Sequence, residues 1–456
     1  MLGPVNRLPR EVISHIAWCR RDEDAIDGRP IIPLTHVCRY WRESIISTPK
    51  HWTAISSHSK NLMTLSLERS KAAPLHLRLE MGHVTPEPGF RDLITPYTRN
   101  VESLRFKDLT SIEDVTQTLP GFPLSTPNLR SLELTRKTRK QGSIPSLGLF
   151  SNTLRSLSLS NIPLYRSFRK LRSLTELYLY FDWVHTPLDN LLEANRSLES
   201  VHIVLDDEEL TAKISRPRIV VLNQLQRLSI ECWERAATRI LVSSIPLRRG
   251  AHLEITFLDF DDADLALNDI IAGIPMTHFP NLSSPTFMEY RSSPLVIRLT
   301  GTNGSFKYHS YTIPSDPFEE LPILPLSDVK NFHLVCDDCP LKVPHPSSFP
   351  SLEALTFGHD TETDISSLFS AMFPNPSFFP SLKTLGFLDC VMTEAFMEEL
   401  TAFAASRKDT TSARLYRVVI IKQNGALPSA ASIKRMEEHV PVVDVRFGRT
   451  LPTDLV

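Results

Sequence analysis

The sequence predicts an α/β fold in which a short N-terminal helical module precedes an irregular solenoid, with a parallel sheet on the concave face and helices and loops on the convex face. Two observations lead to this prediction. A six-residue apolar pattern recurs ten times between residues 101 and 420, whereas the residues before the first copy have the apolar spacing of helices. In addition, the chain has 35 prolines against 15 glycines, and several prolines stand directly before a copy, where they reset the chain ahead of a strand.

Two amphipathic helices are expected in the first fifty residues. The first covers residues 8–18, LPREVISHIAW, where a Leu-Pro start and Glu11 in the first turn precede apolar residues at helical spacing, namely Val12, Ile13, Ile16 and Ala17. The second lies within residues 34–52, LTHVCRYWRESIISTPKHW, and its apolar residues are Val37, Cys38, Trp41, Ile45 and Ile46. Pro49 ends this helix just before Trp52. Helices this short bury little surface among themselves, so part of their apolar surface is expected to contact something else.

The repeated pattern is an apolar residue, two variable positions, and then an apolar, a variable and an apolar residue. Its copies are VESLRF, LRSLEL, LRSLSL, LTELYL, LESVHI, LQRLSI, VKNFHL, LEALTF, LKTLGF and the looser LYRVVI, which begin at residues 101, 129, 154, 174, 198, 225, 329, 352, 382 and 415. The last three positions alternate with the two-residue period of a strand, so Leu132 and Leu134 point to one side and Glu133 to the other. The leading residue is expected to fill the core from the turn. Because one unit cannot bury its apolar side alone, neighbouring units must stack into one parallel sheet.

The chain resembles a leucine-rich-repeat protein from about residue 100 to about residue 425. Most intervals between copies lie in the range of roughly 20 to 29 residues that such repeats have, although the asparagine ladder that usually follows the strand is mostly missing. The expected organisation is a helical module over 1–57, a linker strand and helix over 58–99, the repeat array over 100–431, and a C-terminal cap or tail over 432–456.

The pattern fades over residues 232–328. LEITFLDF and LVIRL still have the character of strands there, whereas GTNGSFKYHSYTIPSDP is expected to be a loop. We interpret this span as degenerate repeats that carry an insertion, and a domain boundary is the alternative.

The outward positions of the strands form the concave surface on which solenoids usually bind their ligands. The alternation places eight side chains there: Glu133, Ser158, Tyr178, Tyr180, His202, Glu231, Trp233 and His333. The candidate substrate-binding residues among them are Tyr178, Tyr180, His202, Glu231 and Trp233, because an aromatic patch with an acidic rim suits a protein ligand. A register shift of one residue would turn the same side chains into core.

The N-terminal segment resembles an F-box, the adaptor-binding module of substrate receptors in SCF-type (cullin and RING) ubiquitin ligases. The matching positions are Leu8, Pro9, Glu11, Val12, Ile16, Leu34, Val37, Cys38, Arg39, Trp41, Arg42, Pro49 and Trp52. The loop between the two halves is longer than in the usual F-box. The following NLMTLSLERSKAAPLHLRLEM is similar to the strand and helix that join an F-box to leucine-rich repeats in large fungal families. The resemblance implies that the module binds a Skp-type adaptor, and through it a cullin-RING complex, while the repeats hold a protein substrate.

Nine residues are the adaptor contacts that this resemblance implies: Leu8, Pro9, Val12, Ile13, Ile16, Leu34, Val37, Cys38 and Trp41. When an amphipathic helix docks into a groove, a few apolar anchors carry most of the binding energy. Val37 and Trp41 are the anchors expected here. The alternative is that Trp41 and Cys38 close a small helical core, and Ile13 or Ile45 could equally face inward.

Charge and composition argue against several classes of partner. The 50 basic and 52 acidic side chains leave no field to attract nucleic acid or an anionic membrane. No stretch reaches about 18 uninterrupted apolar residues, and six scattered cysteines fit free thiols in a reducing compartment. The chain is therefore expected to be intracellular, in the cytoplasm or the nucleus, with neither nucleic acid nor a membrane as its partner.

No constellation of catalytic or metal-binding residues stands out. CDDC (336–339) has no second cysteine pair, DFDDAD (259–264) lacks the glycine and glutamate of a calcium loop, and GTNGS (301–305) lacks the lysine of a phosphate loop. We expect no cofactor, no metal and no enzymatic activity. The leading hypothesis is a non-catalytic substrate receptor that acts by proximity.

Two alternative functions stay open. One is a leucine-rich-repeat scaffold without a role in a ubiquitin ligase. The other is an enzyme with its active site in residues 232–328, which a convergent, buried pair of a histidine and a carboxylate would indicate.

Overall fold

The chain forms two compact units, Met1–Asp207 and Glu208–Val456. The computed structural model describes residues 8–19, 31–81, 90–109, 115, 118–119, 126–137, 152–162, 171–181, 188–205, 218–232, 235–257, 285–292, 295–301, 304–310, 326–335, 348–358, 365–373, 378–408, 414–422 and 427–447. The division between the units falls inside the predicted repeat array.

Short helices open the first unit. The α-helices of this unit are α1 (Arg10–Cys19), α2 (Arg39–Ile46), α3 (Lys60–Ser70), α4 (Phe90–Ile94) and α5 (Leu188–Ala194). The described residues of this unit also form 3-10 helices at Pro33–His36, Pro49–Trp52 and Thr95–Asn100. The second predicted helix is interrupted at Cys38, whose backbone is extended with φ −162° and ψ 172°. Cys38 is the N-cap of α2, so Val37 and Trp41 do not belong to one continuous helix.

The strands of the first unit form a parallel ladder in chain order. They are β1 (Ala54–Ser56), β2 (Leu75–Glu80), β3 (Val101–Leu109), β4 (Ser131–Arg136), β5 (Ser156–Ser160), β6 (Glu176–Phe181) and β7 (Ser200–Leu205). Each strand pairs with the next in parallel. Just before the strands, Arg130 O accepts hydrogen bonds from the N–H groups of Arg155 and Ser156 at 2.7 and 2.9 Å. Thr175 O accepts the equivalent pair from Glu199 and Ser200.

The second unit contains ten of the described strands. They are β8 (Arg227–Cys232), β9 (His252–Phe257), β10 (Pro285–Ser292), β11 (Leu295–Gly301), β12 (Gly304–Ser310), β13 (Asn331–Val335), β14 (Ala354–Gly358), β15 (Thr384–Leu388), β16 (Arg417–Lys422) and β17 (Val442–Phe447). The helices are α6 (Arg235–Ser244), α7 (Ile365–Met372), α8 (Glu394–Lys408), α9 (Ala430–Glu437) and a 3-10 helix at Leu326–Asp328.

An antiparallel meander interrupts the parallel order of the second unit. β12 pairs in parallel with β9, β11 is antiparallel to both β12 and β10, and β10 pairs in parallel with β13. From β13 to β17 the order is again parallel. The insertion expected in 232–328 thus continues the sheet. The loop expected in GTNGSFKYHSYTIPSDP is wrong for Gly304–Ser310, where β12 forms because Phe306 is buried between two strand neighbours.

The structure confirms a mixed α/β fold with a mostly parallel sheet. The first residue of each repeated pattern is buried: Val101, Leu129, Leu154, Leu174, Leu198, Leu225, Val329, Leu352, Leu382 and Leu415. We call the side of the strands that carries the buried alternating residues, such as Leu132 and Leu134, the core side. The opposite side is the outer face. Curvature into a solenoid stays a prediction.

Phenylalanine rings join α7 and α8 to the core side of the second unit. The ring of Phe369 on α7 lies 6.4 Å from that of Phe357 on β14 and 5.4 Å from that of Phe396 on α8, measured between centroids. Phe396 also contacts Phe387 on β15 at 5.5 Å. Edge-on and tilted ring pairs of this kind stabilise packing beyond the area they bury.

Candidate docking and recognition surfaces

The helical module has a core of its own, which also packs on the linker helix. The buried members of this core are Ile13, Ala17, Ile31, Leu34, Trp41, Ile45 and Trp52. Trp52 donates its indole N–H to Ile45 O at 3.1 Å, and the guanidinium of Arg69 lies 4.4 Å from the centre of its ring. Leu65 of α3 packs against the same core. The module is therefore anchored to the first unit through Trp52 and α3.

Polar contacts fix the way in which the two helices approach each other. Ser14 on α1 lies 3.1 Å from His51 Nε2, across the module. The Arg42 side chain donates from Nε to Thr35 O at 2.9 Å, and Thr35 donates its hydroxyl to Ile32 O at 2.7 Å. These bonds hold the segment before α2 against that helix. They thereby fix the position of Val37, which lies between the segment and the helix.

The nine predicted adaptor contacts divide into two groups. Ile13, Leu34 and Trp41 belong to the core, and Trp41 is only 6% exposed. This arrangement favours the alternative in which Trp41 closes the helical core. Cys38 is half-buried, and its Sγ accepts a hydrogen bond from Trp41 N at 3.5 Å. The indole holds the two helices together, and a partner would reach it only if the module opened.

The remaining predicted contacts lie at the surface of the module, where Leu8 and Ile16 also pack partly against its core. Val12 and Ile16 lie four residues apart on one face of α1, and Leu8 lies just before the helix. Val12 is 40% exposed and Leu8 and Ile16 are half-buried, whereas Ile13 and Ala17 on the neighbouring face are buried. Pro9 is exposed, and Val37, which precedes the N-cap of α2, is 49% exposed. The docking surface consists of these residues, Leu8, Pro9, Val12, Ile16 and Val37.

The outer face of the first unit carries one polar row across six strands. The register aligns Arg78, Arg105, Glu133, Ser158, Tyr178 and His202 from β2 to β7. At one end of the row, Arg105 Nε lies 2.5 Å from Glu133 Oε2. At the other end, the rings of Tyr178 and His202 stack with centroids 4.5 Å apart and an interplanar angle of 7°.

A strand with only serines on its outer face separates the ion pair from the stacked rings. β5 places Ser156, Ser158 and Ser160 on the outer face, and their register partners on β6 include Tyr178 and Tyr180. β5 thus places short side chains between the ion pair on one side and the aromatic rings on the other.

Only part of the predicted substrate patch comes together. Tyr178, Tyr180 and His202 are neighbours on the outer face of β6 and β7, as the alternation predicts. Glu231 lies on β8 in the second unit, and Trp233 is outside the described residues. The sequence could predict that Tyr178 and His202 are neighbours, because both occupy the same position of the repeated pattern.

The outer face of β14 to β16 is buried, contrary to the exposed concave face expected there. Val419, Ile421 and Thr356 are all buried on this side. A Cβ at Gly386 would lie 2.8 Å from the hydroxyl of Thr356, so a larger residue does not fit. His333, one of the predicted outward residues, is half-buried beside this closed region. The outer face of β14 to β16 is therefore not a free binding surface.

A charged cluster on β9 and β12 was missed by the sequence reasoning. Glu254 Oε1 pairs with Lys307 Nζ at 2.5 Å, and His252 Nδ1 lies 2.5 Å from Ser305 Oγ. Desolvation by burial lowers the pKa of His252, although the carboxylate of Glu254 opposes this shift. Only the pairing of β9 with β12, 53 residues apart, brings these groups together.

The cluster places a histidine and a carboxylate within residues 232–328, as one alternative hypothesis requires. Both side chains are about one-third exposed, and His252 Nε2 lies 3.9 Å from Glu254 Oε2. This distance is too long for a hydrogen bond, and the carboxylate is paired with Lys307. Glu254 therefore does not orient the imidazole as an acid–base pair requires.

Two segments that the sequence analysis set aside as metal or redox sites, CDDC (336–339) and DFDDAD (259–264), lie outside the described residues. In the described part of the chain, no group of three or more His, Cys, Asp or Glu side chains is arranged to hold a metal ion. No helix among the described residues is both long and apolar enough to cross a membrane. The sequence matches no protein-family model and no curated protein.

Proposed function

We propose that this chain is a non-catalytic substrate receptor of an SCF-type ubiquitin ligase. The α1–α2 module docks on a Skp-type adaptor, and the repeat strands bind a target protein. The observation that carries this proposal is the docking surface of Leu8, Pro9, Val12, Ile16 and Val37, which lies on a helical module directly ahead of a repeat sheet. Burial of Val12 and Val37 in a partner would contribute about 1 kcal/mol each, since both are already partly covered.

The receptor acts by proximity in this proposal. A target held on the outer face of the first unit gains a high effective concentration beside the transfer machinery. The chain itself supplies no chemistry, because ubiquitin transfer belongs to other subunits. The row from Arg105 to His202 is the surface that we assign to the target, since it offers an ion pair and a stacked pair of rings in which Tyr178 is 39% exposed.

Binding of the full-length chain to a purified Skp-type adaptor tests this proposal. We expect the double variant Val12→Asp, Val37→Asp to lose binding, because two carboxylates would have to be desolvated in the interface. Val391→Asp is the matched control, since Val391 is 37% exposed in the second unit. Equal binding of the adaptor by wild type and by the double variant would refute the docking proposal.

A leucine-rich-repeat scaffold without a ligase role is the second candidate. The longer loop between the two halves of the module favours it, since an altered module can lose its adaptor. Wild-type protein that co-purifies with target proteins but does not bind the adaptor would establish this alternative.

A further inference from the structure

Among the described strands, β17 has an open edge. Within the described part of the chain it pairs only with β16, and it carries three apolar residues on the core side, Val443, Val445 and Phe447. Val418 and Ile420, their neighbours on β16, are fully buried, whereas Val443 and Val445 are half-buried and Phe447 is 62% exposed. An exposed apolar strand edge is a template for pairing with another strand.

The backbone groups at this edge belong to the same three residues. Val442 N–H donates to Tyr416 O at 3.1 Å. Because the direction of these groups alternates along a strand, Val442, Asp444 and Arg446 face β16. The N–H and C=O groups of Val443, Val445 and Phe447 therefore point to the open edge. A further strand can bond to them without disturbing the ladder to β16.

We propose that a second copy of this chain occupies the edge, with the two β17 strands antiparallel and Val445 opposite Val445. In this register Val443 lies opposite Phe447, so the core side carries three apolar pairs. Asp444 lies opposite Arg446 twice on the outer face. Asp444 already has Arg417 and Arg446 of its own chain at 3.5 and 3.8 Å, and Arg446 remains 45% exposed.

Several antiparallel registers would bring the edge-facing N–H and C=O groups of the two β17 strands together, and charge favours the one centred on Val445. A centre at Asp444 would place Asp444 opposite Asp444, and a centre at Arg446 would place Arg446 opposite Arg446. Like charges directly opposite each other destabilise a strand pair, whereas opposite charges stabilise it. The centre at Val445 alone gives two attractive pairs, so the sequence VVDVRF is complementary to itself.

The molar mass of the full-length protein, measured by sedimentation over a concentration series, tests the proposal. We expect a dimer that Arg446→Glu and Asp444→Arg each weaken by at least about tenfold, since each variant turns two attractive pairs into repulsive ones. An equimolar mixture of the two variants should dimerise again, because both pairs are attractive in the mixed dimer. Arg130→Glu is the control, since Arg130 is a 69% exposed arginine of the first unit.

A proline and a cysteine at the centre give two further readouts. Val445→Pro removes an N–H that does not bond to β16, so it should abolish the dimer and leave the thermal unfolding midpoint and adaptor binding unchanged. In a Cys19→Ser background, Val445→Cys should form a disulfide between copies under mild oxidation, because hydrogen-bonded partners have Cα atoms about 5.5 Å apart. Asp444→Cys and Arg446→Cys should not.

Three results would overturn the proposal. They are a wild-type protein that is monomeric at every concentration, a dimer that neither Arg446→Glu nor Val445→Pro weakens, and a crosslink that forms through position 444 or 446 in place of 445. If wild-type protein does not bind the adaptor, the proposed function is refuted. The dimer proposal is unaffected by that result, because β17 contains no residue of the docking surface.

Discussion

Replacement of Arg407 by methionine is expected to destabilise the second unit by about 3 to 6 kcal/mol. Arg407 lies near the end of α8 and is only 1% exposed. Its guanidinium donates to the carbonyl oxygens of Phe378, Phe379 and Leu382 at 2.9, 3.0 and 3.4 Å. Burial lowers the pKa of Arg407 to about 10, which still leaves it protonated at neutral pH. The charge thus closes the turn that leads into β15.

The magnitude follows from the two shorter bonds. A hydrogen bond from a charged donor contributes about 1.5 to 3 kcal/mol, and its loss leaves a buried carbonyl without a partner. Phe379 has a positive φ of 55°, a conformation that a non-glycine residue holds only with support from its surroundings. Methionine has nearly the length of the arginine stem, so the cavity it leaves is small and the lost bonds dominate the change.

Hydrogen exchange measured on peptides is the appropriate assay, because a chain of two units need not unfold in one step. Peptides covering residues 378–388 and 394–408 should exchange roughly a hundred to ten thousand times faster in Arg407→Met. Arg435→Met is the control, since Arg435 is 51% exposed on the neighbouring helix α9. Equal exchange in the two variants would show that the guanidinium does not hold the turn.

Two further predictions concern reactivity and recognition. Burial raises the pKa of Cys390 to about 12, so a maleimide at neutral pH should label exposed Cys19 in the native protein and Cys390 only after denaturation, as intact mass will show. Labelling of both at the same rate would contradict the burial. Tyr178→Ala should reduce the proteins that co-purify during proteasome inhibition, whereas Tyr416→Ala, at an exposed tyrosine of the second unit, should not. Equal recovery with the two variants would exclude Tyr178 from target binding.

The parallel sheet could be predicted because the repeated pattern is dictated by burial. A leading apolar residue and two alternating ones, such as Leu129, Leu132 and Leu134, have to meet the same residues of the next copy, and all three are buried. The meander from β10 to β12 follows no such rule. Its three strands pair with their neighbours in the chain, but the meander joins the parallel strands through contacts distant in sequence, as between Ser305 and His252, and no local period indicates those partners.

The helical module shows a different limit to prediction from sequence. Helical spacing identifies which residues are apolar and share a face, but it does not say which of two adjacent faces meets the core. On α1 the two stripes differ by one position, so Val12 is exposed and Ile13 is buried. Trp41 was expected to contact a partner for the same reason. Its indole fills the space between the helices, which a smaller side chain would leave empty.

The same outer position of the repeated pattern is exposed in the first unit and buried in the second. Tyr178 in the first unit is exposed and stacked on His202, whereas Val419 in the second unit is fully buried. Alternation fixes the side of the sheet on which a residue lies, but coverage of that side depends on the rest of the chain. Residue type then separates the cases, since a polar row with an ion pair can face water and a row of Thr356, Gly386 and Val419 cannot do so without cost. We therefore propose that target recognition belongs to the first unit, which also carries the proposed docking surface of the helical module.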